Sequence, residues 1–322
     1  MAVTGAVTEV VRAGGPHVPG LLDRVEERLA ELAAGHGAVL AEHAVATIAA
    51  GGKRLRPLLV FLAADDEDGE GLVRAATAVE LVHSATLVHD DVLDAASLRR
   101  GVPTVVASAG RGAATATGDL LFARAFAELA RNGRADEVQV LSAASSALAE
   151  GELLQRADAF DADIPIDRYL RRCELKTARL FEAACRLGAL EDGRGPDGLG
   201  RFGRRVGLAF QLLDDVLDVS GPAERTGKHR GTDLLDGTVT LPFILARQRD
   251  GELAQLDPRT IDSPAAAEQV CDRIEATGAL DDARARALAI VQEARHALPE
   301  GLSVRQRHAL ELVANGVVAR YA

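Results

Sequence analysis

Residues 80–94 read ELVHSATLVHDDVLD, and residues 206–221 read VGLAFQLLDDVLDVSG. Each stretch spaces its apolar residues by three and four, then closes on the same pentapeptide, DDVLD. That spacing lays an apolar stripe along one side of an α-helix, whereas a half-buried strand would alternate. On such a helix positions i and i+4 share a face, so Asp90 and Asp94 lie one turn apart with Asp91 beside them. Asp214, Asp215 and Asp218 repeat the arrangement.

The helical period extends outward from both stretches. In HVPGLLDRVEERLAELAAG, residues 17–35, Leu22, Val25, Leu29 and Leu32 keep it and Gly35 ends it. It runs again through 72–98, 118–132, 138–158, 166–188, 199–219, 264–294 and 304–320, segments rich in the strong helix formers alanine and leucine. Turn-rich breaks fall at 66–71, 191–200 and 221–238. None has the character of an interdomain linker. The sequence therefore predicts one all-α domain over 1–322, with 1–16 a flexible N-terminal segment. The longest break, 221–238, carries Lys228, His229, Arg230, Thr232 and Asp233, a content that suits a functional lid.

With 48% hydrophobic and 26% charged residues, 322 residues can bury a substantial core. The net charge of −11 argues against a nucleic-acid partner, so a polyanionic substrate would need cations as intermediaries. The longest run without a polar residue, Leu58 to Ala64, is far below the ~20 residues of a membrane span. No basic segment followed by an apolar one opens the chain. Cys173, Cys185 and Cys271 have no metal-ligand spacing and read as reduced, partly buried thiols. A cytoplasmic protein without a transmembrane segment is expected.

Three carboxylates crowded on one helical turn repel one another, and a hard divalent cation relieves the repulsion. Mg²⁺ favours one or two carboxylates, with water and phosphate oxygens completing its shell. Two such clusters on facing helices would hold a diphosphate between metal ions. A single DDxxD in an acidic protein is often only a solvated helix end, but two identical copies behind apolar runs argue against that reading. Basic residues gather at three places: GGKRLRP at 51–57, Arg99-Arg100-Gly101, and Lys176-Thr177 within ELKTARLFEAA. Any one of these alone could be solvated surface.

Together these motifs resemble the polyprenyl synthetase (trans-isoprenyl diphosphate synthase) family over about 35–320. The resemblance implies a helical bundle of the isoprenoid synthase type with a central substrate cavity, a homodimer, and three Mg²⁺ ions per active site. It implies that isopentenyl diphosphate is held by Lys53, Arg56, His83 and Arg100. The allylic diphosphate falls to Arg99, Lys176, Thr177, Gln211 and the lid residue Lys228. Asp90 and Asp94, supported by Asp91, and Asp214, with Asp215 and Asp218, are the implied metal set. The carboxylates Asp90, Asp94 and Asp214, with Lys176 and Arg99, would carry catalysis by stabilising the departing diphosphate. One departure stands out: where many members read GKxTLP, this chain has Thr238 in GTVTLP, so a lid cation is missing, and Lys228 or Arg230 are the candidates to replace it.

Two other readings fit less well. A terpene cyclase steadies its cations on aromatic faces, and this chain has no Trp, two Tyr and eight Phe. A non-catalytic subunit of a heteromeric synthase generally lacks one aspartate motif, and here both are intact. For product length, each helical turn of about 5.4 Å below Asp90 admits about one isoprene unit. Those turns present Ala85 and Thr86, then Val82, then Val79, none aromatic. A product of C30 or more is expected, with Phe61, Phe122 or Phe126 as candidate floor and a C20 product as the alternative.

Overall fold

The computed structural model describes residues 2–35, 38–49, 51–65, 69–99, 101–221 and 229–319. The sequence reading takes 1–322 as one domain, whereas the contacts divide the chain into two compact units, each discontinuous in sequence. The first comprises Met1–Ser145, Leu180–Gly203 and Ala297–Val313, and the second Ser146–Arg179, Arg204–His296 and Ala314–Ala322. The described residues are helical apart from one short hairpin.

The first unit opens with α1 (Ala2–Gly14), α2 (Val18–Ala34), α3 (Ala38–Ala49), α4 (Leu55–Ala63) and α5 (Glu70–Leu93). Residues 1–16, expected as flexible, thus contain α1. It buries Val10, and the missing Cβ of Gly14 lets its end close on Leu62. Helix α5 packs against α2, α4 and α6 (Val105–Ala130). Enclosed this way it buries residues on most of its circumference, from Leu72 to Val88, and a polar surface returns only at its last turn. Its length and hydropathy would allow a membrane span, but 72% of that stretch is buried in the protein, as in a core helix.

Between α5 and α6 lies a hairpin that the helical reading did not foresee. Strands Leu98–Arg99 and Val102–Pro103 pair antiparallel, Leu98 with Pro103 and Arg99 with Val102. Two-residue strands are too short to show a period, and the turn relies on Gly101 at φ +79. Thr104 then caps α6, its hydroxyl accepting from the Ala107 N–H at 3.2 Å.

The second unit is built from the end of α7 (Ala135–Ala157), α8 (Ile166–Cys173), a π-helical turn at Glu174–Ala178, and the later part of α10 (Asp197–Ser220). The helices Thr232–Leu235, Leu241–Arg247, Gly251–Gln255, Pro264–Ala276 and Ala279–His296, with the end of the helix Val304–Ala319, complete it. Helix α9 (Arg179–Glu191) belongs almost entirely to the first unit, where Gly188 lets it lie directly on the Val60 carbonyl of α4. All three cysteines are buried and unpaired, as expected.

An acidic pair lies in the first unit, Glu137 buried and Glu191 half-buried. Asn132 donates to the Gly71 carbonyl at 3.0 Å and to Glu137 at 2.9 Å, and it lies 3.4 Å from Glu191. Glu137 is fully buried, and Arg134 approaches it only to 3.5 Å. Burial, then the neighbouring Glu191, push the Glu137 carboxyl well above the ordinary carboxylate range. The folded protein therefore keeps a proton that the unfolded chain has released, and stability falls as pH climbs above the ordinary carboxylate range. Glu137→Gln keeps the shape without the charge. We expect it to match the wild type near pH 5 and to exceed it by about 3 °C in Tm at pH 9, roughly 1 kcal/mol. Thermal melts across that range that stay parallel for the two proteins would refute the assignment.

Candidate active site

The first aspartate cluster occupies the last turn of α5. Asp90 is half-buried, while Asp94 is exposed and caps the helix, its backbone N–H donating to the Asp90 carbonyl at 2.8 Å. Asp91 points inward and is buried. The hairpin brings Arg99 back onto it, with Nε at 2.8 Å and Nη2 at 2.7 Å from the same Asp91 oxygen. So the residue expected on the allylic diphosphate holds the inner aspartate here. Its neighbour Arg100 lies outside the described residues.

Beside this turn is a cleft of about 70 Å³, whose lining includes His43, Arg54, Glu80, His83, Asp91 and Arg99. Arg54 had no assigned role in the sequence reading. It adopts a left-handed backbone at φ +46, and its guanidinium joins Glu80 at 2.7 Å and Glu26. Those two carboxylates overcome its burial and raise its already high pKa, which keeps the charge in place. Such a backbone is strained for a side-chain-bearing residue, and the double ion pair holds it. The same loop leaves Lys53 exposed, and Arg56, in the first turn of α4, stacks over the Phe181 ring, 4.8 Å from its centroid.

In the second unit, Asp214 is half-buried and Asp215 fully inside α10. Asp218 accepts from the Asp233 backbone N–H at 3.2 Å, and its carbonyl accepts from Gly231 at 2.9 Å. The start of the loop that follows, including Lys228, lies outside the described residues. Arg230, one candidate to replace the missing lid lysine, is bound to the Val219 carbonyl and to Asp272 and Glu275 on helix Pro264–Ala276. It is thereby anchored in the fold. Thr238 donates its backbone N–H to the Asp233 carbonyl at 2.7 Å.

Lys176 and Thr177 sit in the π-helical turn between α8 and α9. A π-turn inserts an extra residue and redirects the side chains it carries, which is why such turns recur at functional sites. Helix α7 packs directly on this turn: a Cβ at Gly151 would collide with the Lys176 backbone nitrogen. Lys176 pairs with Glu152 at 2.5 Å, an interaction that holds the Glu152 carboxyl low despite its burial. Thr177 donates to the Gln211 amide oxygen at 2.7 Å. Gln211 donates in turn to Asp215 at 2.7 Å, and the Tyr169 hydroxyl donates to the other Asp215 oxygen at 2.6 Å. Burial and Asp233 push the Asp215 carboxyl above its ordinary range, against the pull of Tyr169 and Gln211. Glu152 and Tyr169 escaped the sequence reading because neither belongs to a charged motif.

Of the six carboxylates read as a metal set, Asp91 and Asp215 are committed to protein partners. Asp90 with Asp94, and Asp214 with Asp218, add two carboxylates at i and i+4 on each helix, Asp218 also accepting from the Asp233 backbone N–H. No three His, Cys, Asp or Glu side chains converge among the described residues. That donor set fits Mg²⁺, which takes one or two carboxylates and completes its shell with water and phosphate oxygens.

The turns of α5 below Asp90 place Ala85, Val82 and Val79 in fully buried positions. Thr86 is half-buried, its hydroxyl on the His83 carbonyl at 2.8 Å. Helix α6 runs antiparallel to α5, with Gly118 against His89 and Asn132 at Gly71. Phe122 stacks on His89 with centroids 5.8 Å apart, beside the aspartate turn, while Phe61 is buried on α4.

Comparison with known proteins identifies the family. The family model described as polyprenyl synthetase matches residues 38–276. The chain is similar to heptaprenyl diphosphate synthase component 2 of Geobacillus stearothermophilus, 39% identical over 297 residues, or 90% of this chain and 92% of that one. It is likewise similar to octaprenyl diphosphate synthase of Escherichia coli (strain K12), 39% identical over 249 residues, or 74% and 77% of the two chains. Among solved structures, polyprenyl synthase from Caulobacter crescentus CB15 complexed with calcium and isoprenyl diphosphate matches with a TM-score of 0.87. It is 34% identical, and the match covers 98% of each chain. Doubled DDVLD motif, basic loop and fold converge: the chain belongs to the polyprenyl synthetase family, prenyltransferases that use divalent metal ions.

Proposed function

We propose that this prenyltransferase extends an allylic diphosphate with isopentenyl diphosphate to a linear all-trans product of C30 or more, using Mg²⁺. The observation that carries the reading is that two helices each bear an inner aspartate held by protein between two carboxylates at i and i+4. Lys176, Thr177, Gln211, Arg99 and Lys228 bind the allylic diphosphate, and Lys53, Arg56, His83 and Arg100 bind isopentenyl diphosphate. The C–O bond to the departing diphosphate breaks and leaves an allylic cation. The double bond of isopentenyl diphosphate then supplies its electron pair to form the new C–C bond. The proton lost afterwards passes to the released diphosphate. The lysines and arginines stabilise the charge that builds on the leaving group, and the 221–238 loop excludes water from the cation. Bound Mg²⁺ adds Lewis-acid neutralisation of the same diphosphate. We expect three Mg²⁺ per chain on binding inorganic diphosphate, and two or fewer by equilibrium dialysis would contradict this.

The Geobacillus relative is called component 2, and a heteromeric enzyme is the rival to a cytosolic homodimer. Both aspartate motifs are intact here, which favours a chain active by itself. The deciding experiment incubates the purified chain alone with Mg²⁺, isopentenyl diphosphate and each allylic primer, then separates the dephosphorylated products. Products of C30 or more from a dimer by light scattering are expected. No turnover, or a monomeric mass at micromolar concentration, would count against the reading. A C20 product is the alternative favoured by Phe122, whose ring stands beside the aspartate turn.

A further inference from the structure

Nothing in the DDVLD motif or the basic loops draws attention to Tyr169. It lies in α8, fully buried, with the Arg172 guanidinium over its ring at 5.4 Å. Phenylalanine would fill the same space, so the role of this side chain lies in its hydroxyl. That hydroxyl ends a chain of three short hydrogen bonds: Tyr169 to Asp215 at 2.6 Å, Gln211 to Asp215 at 2.7 Å, and Thr177 to Gln211 at 2.7 Å.

We infer that Tyr169 is a positioning residue for the allylic diphosphate, acting through Asp215 to set which way the Gln211 amide faces. The inference rests on the proposed function, in which Gln211 and Thr177 contact that diphosphate. The Gln211 group turned to Asp215 is its NH₂, which donates to one carboxyl oxygen at 2.7 Å while Tyr169 occupies the other. Its oxygen is then left to accept from Thr177, and the second N–H of the NH₂ stays available to an anionic oxygen. The reverse amide orientation would set a carbonyl oxygen against the diphosphate and repel it. Asp215 enforces the right orientation only while its own carboxylate is held. Gln211 reaches one oxygen from a position four residues earlier on the same helix, and Tyr169 holds the other from a different helix. Without the hydroxyl the carboxylate can rotate about its side chain, and the amide loses its fixed reference.

The test is a double-mutant cycle between Tyr169→Phe and Gln211→Ala, with KM measured separately for farnesyl diphosphate and isopentenyl diphosphate. Tyr169→Phe alone should raise KM for farnesyl diphosphate about tenfold, the scale of one hydrogen bond to a charged group. It should leave KM for isopentenyl diphosphate within about twofold. In the Gln211→Ala background the same change should move the primer KM less than about twofold, because the group it orients is gone. A merely structural tyrosine would raise both KM values together, or act equally in both backgrounds, and either result overturns the inference. So does an unchanged primer KM. Should Tyr169→Phe fail to fold by circular dichroism, Tyr169→Met, which also fills the space without a hydroxyl, takes its place in the cycle with the same expectations. If the wild type does not elongate farnesyl diphosphate at all, the functional proposal fails. If it does and the cycle is additive, only this inference fails.

Discussion

Replacing Asp90 or Asp214 by alanine is expected to lower turnover about a thousandfold while leaving the helices intact. Each carboxylate is half-buried at a helix end, so its loss opens no cavity in the core. On the proposed function, what disappears is one carboxylate that binds Mg²⁺. Charge stabilisation at a departing phosphate is worth several kcal/mol. About 4 kcal/mol converts to about a thousandfold in rate. Chelation by EDTA should abolish activity, and added Mg²⁺ should restore it. Steady-state rates with matched far-UV spectra provide the check, and a mutant that retains full rate would exclude that aspartate from the metal set.

A phenylalanine at Ala85 should shorten the product to near C15 without suppressing the first condensation. Ala85 faces the protein interior one turn below the aspartates, with Val82 and Val79 beneath it, all fully buried. A growing tail that follows this face meets the new ring after about one turn, or ~5.4 Å. Overpacking is expected to cost about 1–3 kcal/mol, so Tm falls modestly while the early steps persist. Thr86→Phe should act the same way with less strain, since Thr86 is only half-buried. Chromatography of the dephosphorylated products decides. A wild type that already stops at C15, or an unchanged product from both variants, defeats the tunnel model.

The helices, the two aspartate clusters and the family were legible from the amino-acid sequence alone, because each depends on local spacing. A 3.6-residue period and a pair of carboxylates at i and i+4 are written within one or two turns. The basic loop at 51–57 and the Lys176-Thr177 pair were legible as charge in otherwise apolar surroundings. Only the tertiary structure showed what the inner aspartates do. Arg99 reaches Asp91 across 8 residues and a hairpin too short to have a period. Thr177 meets Gln211 across 34 residues, Lys176 meets Glu152 across 24, and Tyr169 meets Asp215 across 46. The double pairing of Arg54 with Glu26 and Glu80 likewise spans 28 and 26 residues. Contacts at such separations leave no period behind them, because they are set by where helices cross once their apolar faces are buried. The sequence by itself therefore determined which residues can carry the charge chemistry. Packing alone decided which partners those charges meet, Arg99 on Asp91 and Tyr169 on Asp215 among them.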